Sequence, residues 1–242
     1  MATKDMSWLD TSRGGALVGA PRPPRIRKRS MGLADLLGST FALVARKALA
    51  VEPKHKFSST QFNLAVAGYS RSQGSPIPRL KELAASIPDE DLAEDGRESE
   101  YHVTVKYGLH ADDPEDVRRV VRKWLASRRG MQGGMSVTAM LAKVSIFPAK
   151  EASTQRGGDQ HDVVKVDVES DDLQSLNKAI SALPHTDTHP VYKPHVTLAY
   201  VKAGLGKKYV GRGLGGHMVL MHALTFSVPS GEKTVIDLWK ED

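Results

Sequence analysis

The sequence contains no cysteine. That excludes disulfides, Cys-ligated zinc and thiol nucleophiles, and it fits a cytoplasmic protein. It also lacks any run of about 18 apolar residues, so no membrane span is expected. The N-terminus has no basic start followed by an apolar core and a small-residue cleavage site, so no secretion signal is expected. Acidic residues are short by a little: 34 Lys and Arg face 28 Asp and Glu, a net charge of +6. Ten of the basic and four of the acidic residues fall in residues 1–55. The whole surplus therefore sits there, and residues 56–242 are balanced. The basic pI is then no evidence that the body of the chain grips long nucleic acid.

What is present divides the chain in two. Residues 1–55 form the first part. Residues 1–30 hold Gly14-Gly15, Pro21-Arg22-Pro23-Pro24 and Arg25-Ile26-Arg27-Lys28-Arg29. Such a segment buries too little apolar surface to offset chain entropy, so a disordered basic arm is expected. It reads either as a solvated tail or as a tether to nucleic acid, an anionic surface or another protein. Residues 31–50, with Leu33, Leu36, Leu37, Phe41, Leu43 and Val44, have helical apolar spacing.

Residues 56–242 repeat one order of elements. Gln61–Ala67 reads as a strand, and Leu80, Leu83, Ala84 and Ile87 mark a helix stopped by Pro88. An acidic loop leads on to Tyr101-His102-Val103-Thr104-Val105-Lys106-Tyr107. In the second half Val163–Val168 reads as a strand and Ser170 as a helix cap. Leu173, Leu176, Ile180 and Leu183 form that helix's stripe, and Pro184 ends it. A loop leads to Pro194-His195-Val196-Thr197-Leu198-Ala199-Tyr200. Strand, helix, proline stop, loop and His-x-Thr strand thus occur twice. Between the halves, Asp112 or Asp113 caps a helix with Val117, Val120, Val121, Trp124 and Leu125 on one face. Arg128, Arg129 and Gly130 close it, and a long strand follows over Ser136–Phe147. A turn with Gly157-Gly158 joins the halves, and strands over His217–Val228 and Lys233–Trp239 close the chain.

Side chains alternate along a strand, so each His shares a face with the Thr two residues on, while the valines face a core. Two such pairs brought together supply a proton acceptor, a proton donor and two hydroxyls around one group, which is what cleavage of a phosphate diester requires. One His in a strand is usually structural. Two in matching hexads, each at the same point of a repeated unit, favour catalysis. No carboxylate lies at ligand spacing beside either motif, so neither a metal nor another cofactor is expected. By alternation Lys106 shares the His102 face or stands at a solvated rim. The Gly-rich stretch 203–216, with Lys207, Lys208 and Arg212, is either a basic lid or a surface loop. Tyr69, Tyr192 and Trp239 are candidates to stack a base, though aromatics are more often core. The other histidines, among them His110, His161, His185, His189, His217 and His222, have no repeat partner and read as structural or surface residues.

Over about residues 57–240 the doubled His-x-Thr motif resembles the 2H phosphoesterase superfamily. The resemblance implies an α+β fold of two pseudo-symmetric lobes, with antiparallel sheets lining a central cleft and helices outside. It implies metal-independent catalysis by His102 and His195, with Thr104 and Thr197 on the phosphate. Among family members the chain looks most like the phage enzymes that hydrolyse 3′–5′ linkages in cyclic oligonucleotides, such as cGAMP, against bacterial CBASS immunity. That likeness adds Glu232 and Trp239 as nucleotide contacts and places the protein in the host bacterial cytoplasm. Two other readings stand beside it. One is an RNA 2′,3′-cyclic phosphodiesterase or RNA-end processing enzyme using the same four residues. The other is a non-catalytic nucleotide-binding or virion-associated module.

Overall fold

A computed structural model describes residues 56–69, 72–128, 135–149, 161–187, 189 and 191–240. The expected basic arm, the helix expected over 31–50, Arg129, Gly130 and the Gly157-Gly158 turn lie outside these residues.

Among the described residues ten strands join in one sheet. They are β1 (Ser58–Asn63), β2 (Gly68–Tyr69), β3 (Leu92–Arg97), β4 (His102–Leu109), β5 (Val137–Phe147), β6 (His161–Glu169), β7 (His195–Lys202), β8 (Gly213–Met221), β9 (Ala223–Ser227) and β10 (Lys233–Asp237). Their order is β10-β9-β1-β4-β7-β6-β5-β8-β2, with β3 added beside β7, and every pairing is antiparallel. Six strand spacings separate β1 from β2, about 29 Å in a flat sheet. Only Leu64–Ala67 connects them, and that stretch reaches at most about 18 Å. The sheet must therefore curl.

Three α-helices among the described residues, α1 (Ile77–Ala85), α2 (Pro114–Ala126) and α3 (Asp171–Ile180), cover one face. Helix α1 lies on β7, α3 lies on β4 and β5, and α2 packs on α3. Their buried stripes are the expected ones: Leu80, Leu83 and Ala84; Val117, Val121 and Trp124; Leu173, Leu176 and Ile180. They meet Val103, Val105, Val196 and Leu198 from the two motif strands in one core. Each buried Leu, Ile or Val contributes about 1.5–3 kcal/mol of transfer free energy. The expected caps form. Asp113 accepts from the Glu115 amide at 2.9 Å, and Ser170 Oγ accepts from the Leu173 amide at 3.0 Å. The Trp124 indole donates to Ser175 of α3 at 3.0 Å, which fixes α2 on its neighbour.

The fold is thus α+β, with mostly antiparallel strands and helices packed against the sheet. The sheet is continuous, and β4 and β7 meet through a single pair, Val103 with Val196. Several elements depart from the sequence reading. The strand expected over 61–67 starts at Ser58 and gives way at Leu64 to a 3-10 turn capped by Asn63. The expected acidic loop contains β3, whose Arg97 donates to the carbonyls of Ala84 and Ile87 and so caps the end of α1. The strand expected over His217–Val228 is two, β8 and β9, and β8 begins inside the Gly-rich stretch at Gly213. That stretch is strapped down and does not stand free as a lid. The Tyr209 hydroxyl and the Lys208 ammonium both engage Asp91. The Gly206 amide donates to Asp162 at 2.9 Å, and a side chain at 206 would come within 2.9 Å of Asp162.

Candidate active site

The core face of β4 and β7 takes the valines, so the opposite face takes the motif side chains. The Val103–Val196 pair sets the register. One residue to either side, His102 stands across from Thr197, and Thr104 across from His195. The four form a two-by-two group in which each histidine faces the other motif's threonine. Directly opposed side chains in such a pair have Cβ atoms about 4.5–5.5 Å apart, and diagonal ones, here the two histidines, about 7–8 Å. All four are part-exposed, while Val103 and Val196 have no exposed surface.

Each imidazole is fixed in the same way. His102 Nδ1 lies 2.7 Å from the Glu100 carbonyl and His195 Nδ1 lies 2.8 Å from the Lys193 carbonyl. A carbonyl only accepts, so Nδ1 carries the hydrogen in both rings. That leaves each Nε2 as the nitrogen that takes up or gives a proton. The two rings differ in setting. Protein packs around most of the His195 ring, with Phe147 edge-on to it at 4.9 Å between centroids. That burial lowers the pKa of His195 to about 4, with the charges of Lys165 and His102 acting in the same direction.

Neighbouring strands extend the polar face. Asn63 and Gln61 of β1 stand beside His102 and Thr104. Lys165 and Asp167 of β6 stand beside Thr197 and His195. Lys165 is only 4% exposed. Its ammonium donates to Asp167 at 2.5 Å and to Ser145 at 2.6 Å, and Ser145 donates to Asp167 at 2.6 Å. Burial pushes the Asp167 carboxyl up, but hydrogen bonds from Lys165 and Ser145 outweigh it and hold the group below its ordinary range. The sequence carried a signal for this cluster. Lys165 and Asp167 are spaced two apart in a strand otherwise rich in valine, the same spacing that marks the histidine and threonine pairs.

The expectation for Lys106 is corrected by a shift in register. Gln61 pairs with Thr104, but Thr60 pairs with Lys106. The shift turns Lys106 to the face where Thr60 is buried. Lys106 is 6% exposed, and its ammonium is taken by Asp187 at 2.5 Å. It is neither at the rim nor free to hold a phosphate. Tyr107 takes the open face instead, beside Ser59, with its ring edge-on to Phe57, which stacks on His110. Tyr192 does not offer its face to a base. It packs against the core, and its hydroxyl donates to the Thr104 carbonyl at 2.9 Å.

The structure does not bring Tyr69, Glu232 and Trp239 onto strands adjoining the four motif side chains. Tyr69 is on β2, the last strand at one end of the sheet. Glu232 precedes β10 and Trp239 follows it, so they stand at opposite ends of the last strand at the other. Trp239 is stacked on His222, with ring centroids 3.7 Å apart. Of the remaining histidines, His185 bonds Asp187 and His217 bonds the Gly74 carbonyl. Among the described residues no group of three or more His, Asp or Glu side chains is placed to hold a metal ion. No described helix is long and apolar enough to cross a membrane.

No protein-family model and no curated protein matches the sequence. Solved structures give a loose likeness. One is Usb1 of Kluyveromyces marxianus, 11% identical, with a TM-score of 0.46 over 75% of this chain and 97% of that one. The same protein with uridine monophosphate is 10% identical, with a TM-score of 0.45 over 75% and 98%. A protein described as a phosphoesterase is 14% identical, with a TM-score of 0.39 over 75% and 94%.

Proposed function

We propose that the chain is a phosphodiesterase that cleaves a nucleotide diester by acid–base catalysis between His195 and His102. One observation carries this reading. Two histidines, each with Nδ1 tied to a backbone carbonyl, share one open face with two threonines. His195, held neutral by its surroundings, takes the proton of the attacking oxygen through Nε2. That oxygen belongs to water or to the neighbouring ribose 2′-hydroxyl, and it bonds to phosphorus. The bond from phosphorus to the leaving oxygen breaks, and the His102 Nε2–H protonates that oxygen. Thr104 and Thr197 donate to the non-bridging oxygens as charge gathers there. Both protons are handled by imidazole, so turnover is indifferent to EDTA. Tyr107, with Phe57 and His110, offers a base an exposed aromatic surface on the same face.

As substrate we propose 3′–5′-linked cyclic di- or oligonucleotides, with bacterial CBASS signalling as the setting. The placement of Glu232 and Trp239 at the two ends of an outer strand favours a second reading, RNA bearing a 2′,3′-cyclic end, which needs only the four motif side chains and one stacked base. A panel of cyclic dinucleotides and 2′,3′-cyclic RNA ends, incubated with the full chain, separates the two. Cleavage of the dinucleotides, lost on Glu232→Ala and Trp239→Ala, supports the first. Opening of the cyclic ends alone supports the second. Binding without turnover of any member leaves a nucleotide-capturing module and ends the catalytic reading.

A further inference from the structure

A buried ammonium is a costly thing to place on a sheet face: the Lys165 side chain is 5% exposed, while its partner Asp167 keeps 35% of its side chain in solvent. Withdrawing an ammonium from water is unfavourable, and an apolar side chain of the same volume usually packs there at no greater cost. Lys165 and Asp167 therefore call for a reason other than packing. Their position supplies one. Lys165 stands next to Thr197 and Asp167 next to His195. Asp167 and Ser145 hold the Lys165 ammonium from one side. The same ammonium lies 4.3 Å from the centroid of the Phe147 ring, within the range of a cation–π contact, which is worth most where water is excluded. The Phe147 ring in turn meets His195 edge-on, at an interplanar angle of 88°.

We propose that Lys165 is a positioning residue for His195: held by Asp167 and Ser145, it clamps the Phe147 ring against the imidazole and keeps Nε2 aimed at the phosphate. The proposal rests on the reading of His195 as the proton acceptor. The clamp also sets the charge that His195 feels. Lys165 and Asp167 face it from β6 and His102 from β4, the Lys193 backbone carbonyl holds its Nδ1 from the segment leading into β7, and Lys143 of β5 acts on Asp167. Lys165 opposes protonation of His195 and Asp167 favours it. Removing Lys165 alone leaves the Asp167 carboxylate beside the ring without its nearest cation, with only Ser145 and the more distant charge of Lys143 to offset it.

The test uses the full chain and the variants Lys165→Met, Lys165→Arg and Lys165→Met/Asp167→Asn. The first readout is NMR of the His195 ring, its contact with the Phe147 ring protons and its titration midpoint. The second is kcat and KM on bis(p-nitrophenyl) phosphate. In Lys165→Met the Phe147–His195 contact weakens and the His195 midpoint rises by about one pH unit or more. Its kcat falls about tenfold near neutral pH, while KM stays within about twofold. Lys165→Arg, which keeps the charge, retains the contact and most of the rate. If Lys165→Met fails to fold, the double variant, with no buried charge left alone, must still show the weakened ring contact. An unchanged contact and midpoint in the folded variant overturns the proposal. The NMR arm needs no turnover, so a chain inactive on every diester would defeat the catalytic reading and leave the clamp to be judged on its own.

Discussion

Val103 of β4 pairs with Val196 of β7, and this one pair decides where four reactive side chains stand. A slip of β4 by one residue would send His102 and Thr104 toward the helices and Val103 toward solvent, parting them from His195 and Thr197 of β7. The valines resist the slip because both are fully buried. If the two imidazoles divide the proton transfers, His102→Ala and His195→Ala each lower kcat by about 10³-fold, and the double variant loses little more. As whole residues both are part-exposed, although protein packs around most of the His195 ring, so thermal melting should stay within a few degrees of wild type for His102→Ala and both variants should fold. Steady-state kinetics beside a melting curve checks both halves of this expectation.

The threonines make a separate claim. Thr104→Val and Thr197→Val keep the shape and the strand preference of the side chain but remove the donor. A donor aimed at charge that develops in the transition state is felt in kcat, and the loss of one hydroxyl should cost about 10–10³-fold there with KM nearly unchanged. Serine at either position restores most of the rate. A rise in KM with kcat intact would mean that the hydroxyls hold the ground state only.

Much of this site was legible because its signal is local. The His-x-Thr spacing, the caps at Asp113 and Ser170 and the apolar stripes of the three helices each depend on residues a few positions apart. What was not legible depends on partners far along the chain. The register shift that turns Lys106 inward and Tyr107 outward exists only in the pairing of β4 with β1. Strand β3 has the sequence Leu-Ala-Glu-Asp-Gly-Arg, with no apolar alternation, and is a strand because it lies along β7. The Gly-rich stretch reads as loose until Asp91 and Asp162, more than forty residues away, are seen to hold it. Glu232 and Trp239 are close in sequence, but the extended strand between them carries them apart.

Lys106 and Asp187 give a prediction about stability. The lysine side chain is 7% exposed and the aspartate 58%. Hydrogen bonding from Lys106 holds the Asp187 carboxyl below its ordinary range. Asp187→Ala leaves a buried ammonium without its partner and should cost about 1–3 kcal/mol. Lys106→Met removes the charge and keeps the bulk, and should be close to neutral. Urea denaturation of the two variants at pH 7 decides it, and equal losses would mean that the pair contributes by packing alone.

The last prediction concerns acid. Burial lowers the His195 pKa from 6.5 to about 4. Between those values the unfolded chain binds a proton at this position and the folded chain does not, so stability rises with pH across the window. The contribution is complete above about pH 6.5 and is lost progressively as pH falls toward 4. Moving from pH 7 to pH 5 should therefore cost the wild type about 1–2 kcal/mol more than it costs His195→Asn, which cannot titrate. Carboxylates held low by their partners, Asp91, Asp167 and Asp187, do not confuse the comparison. They remain ionised at pH 5, and their share is lost only below the ordinary aspartate range. Urea curves at the two pH values for both proteins give the difference directly. If the two lose stability in parallel, His195 is not held neutral by the fold, and its place as the proton acceptor falls with that result.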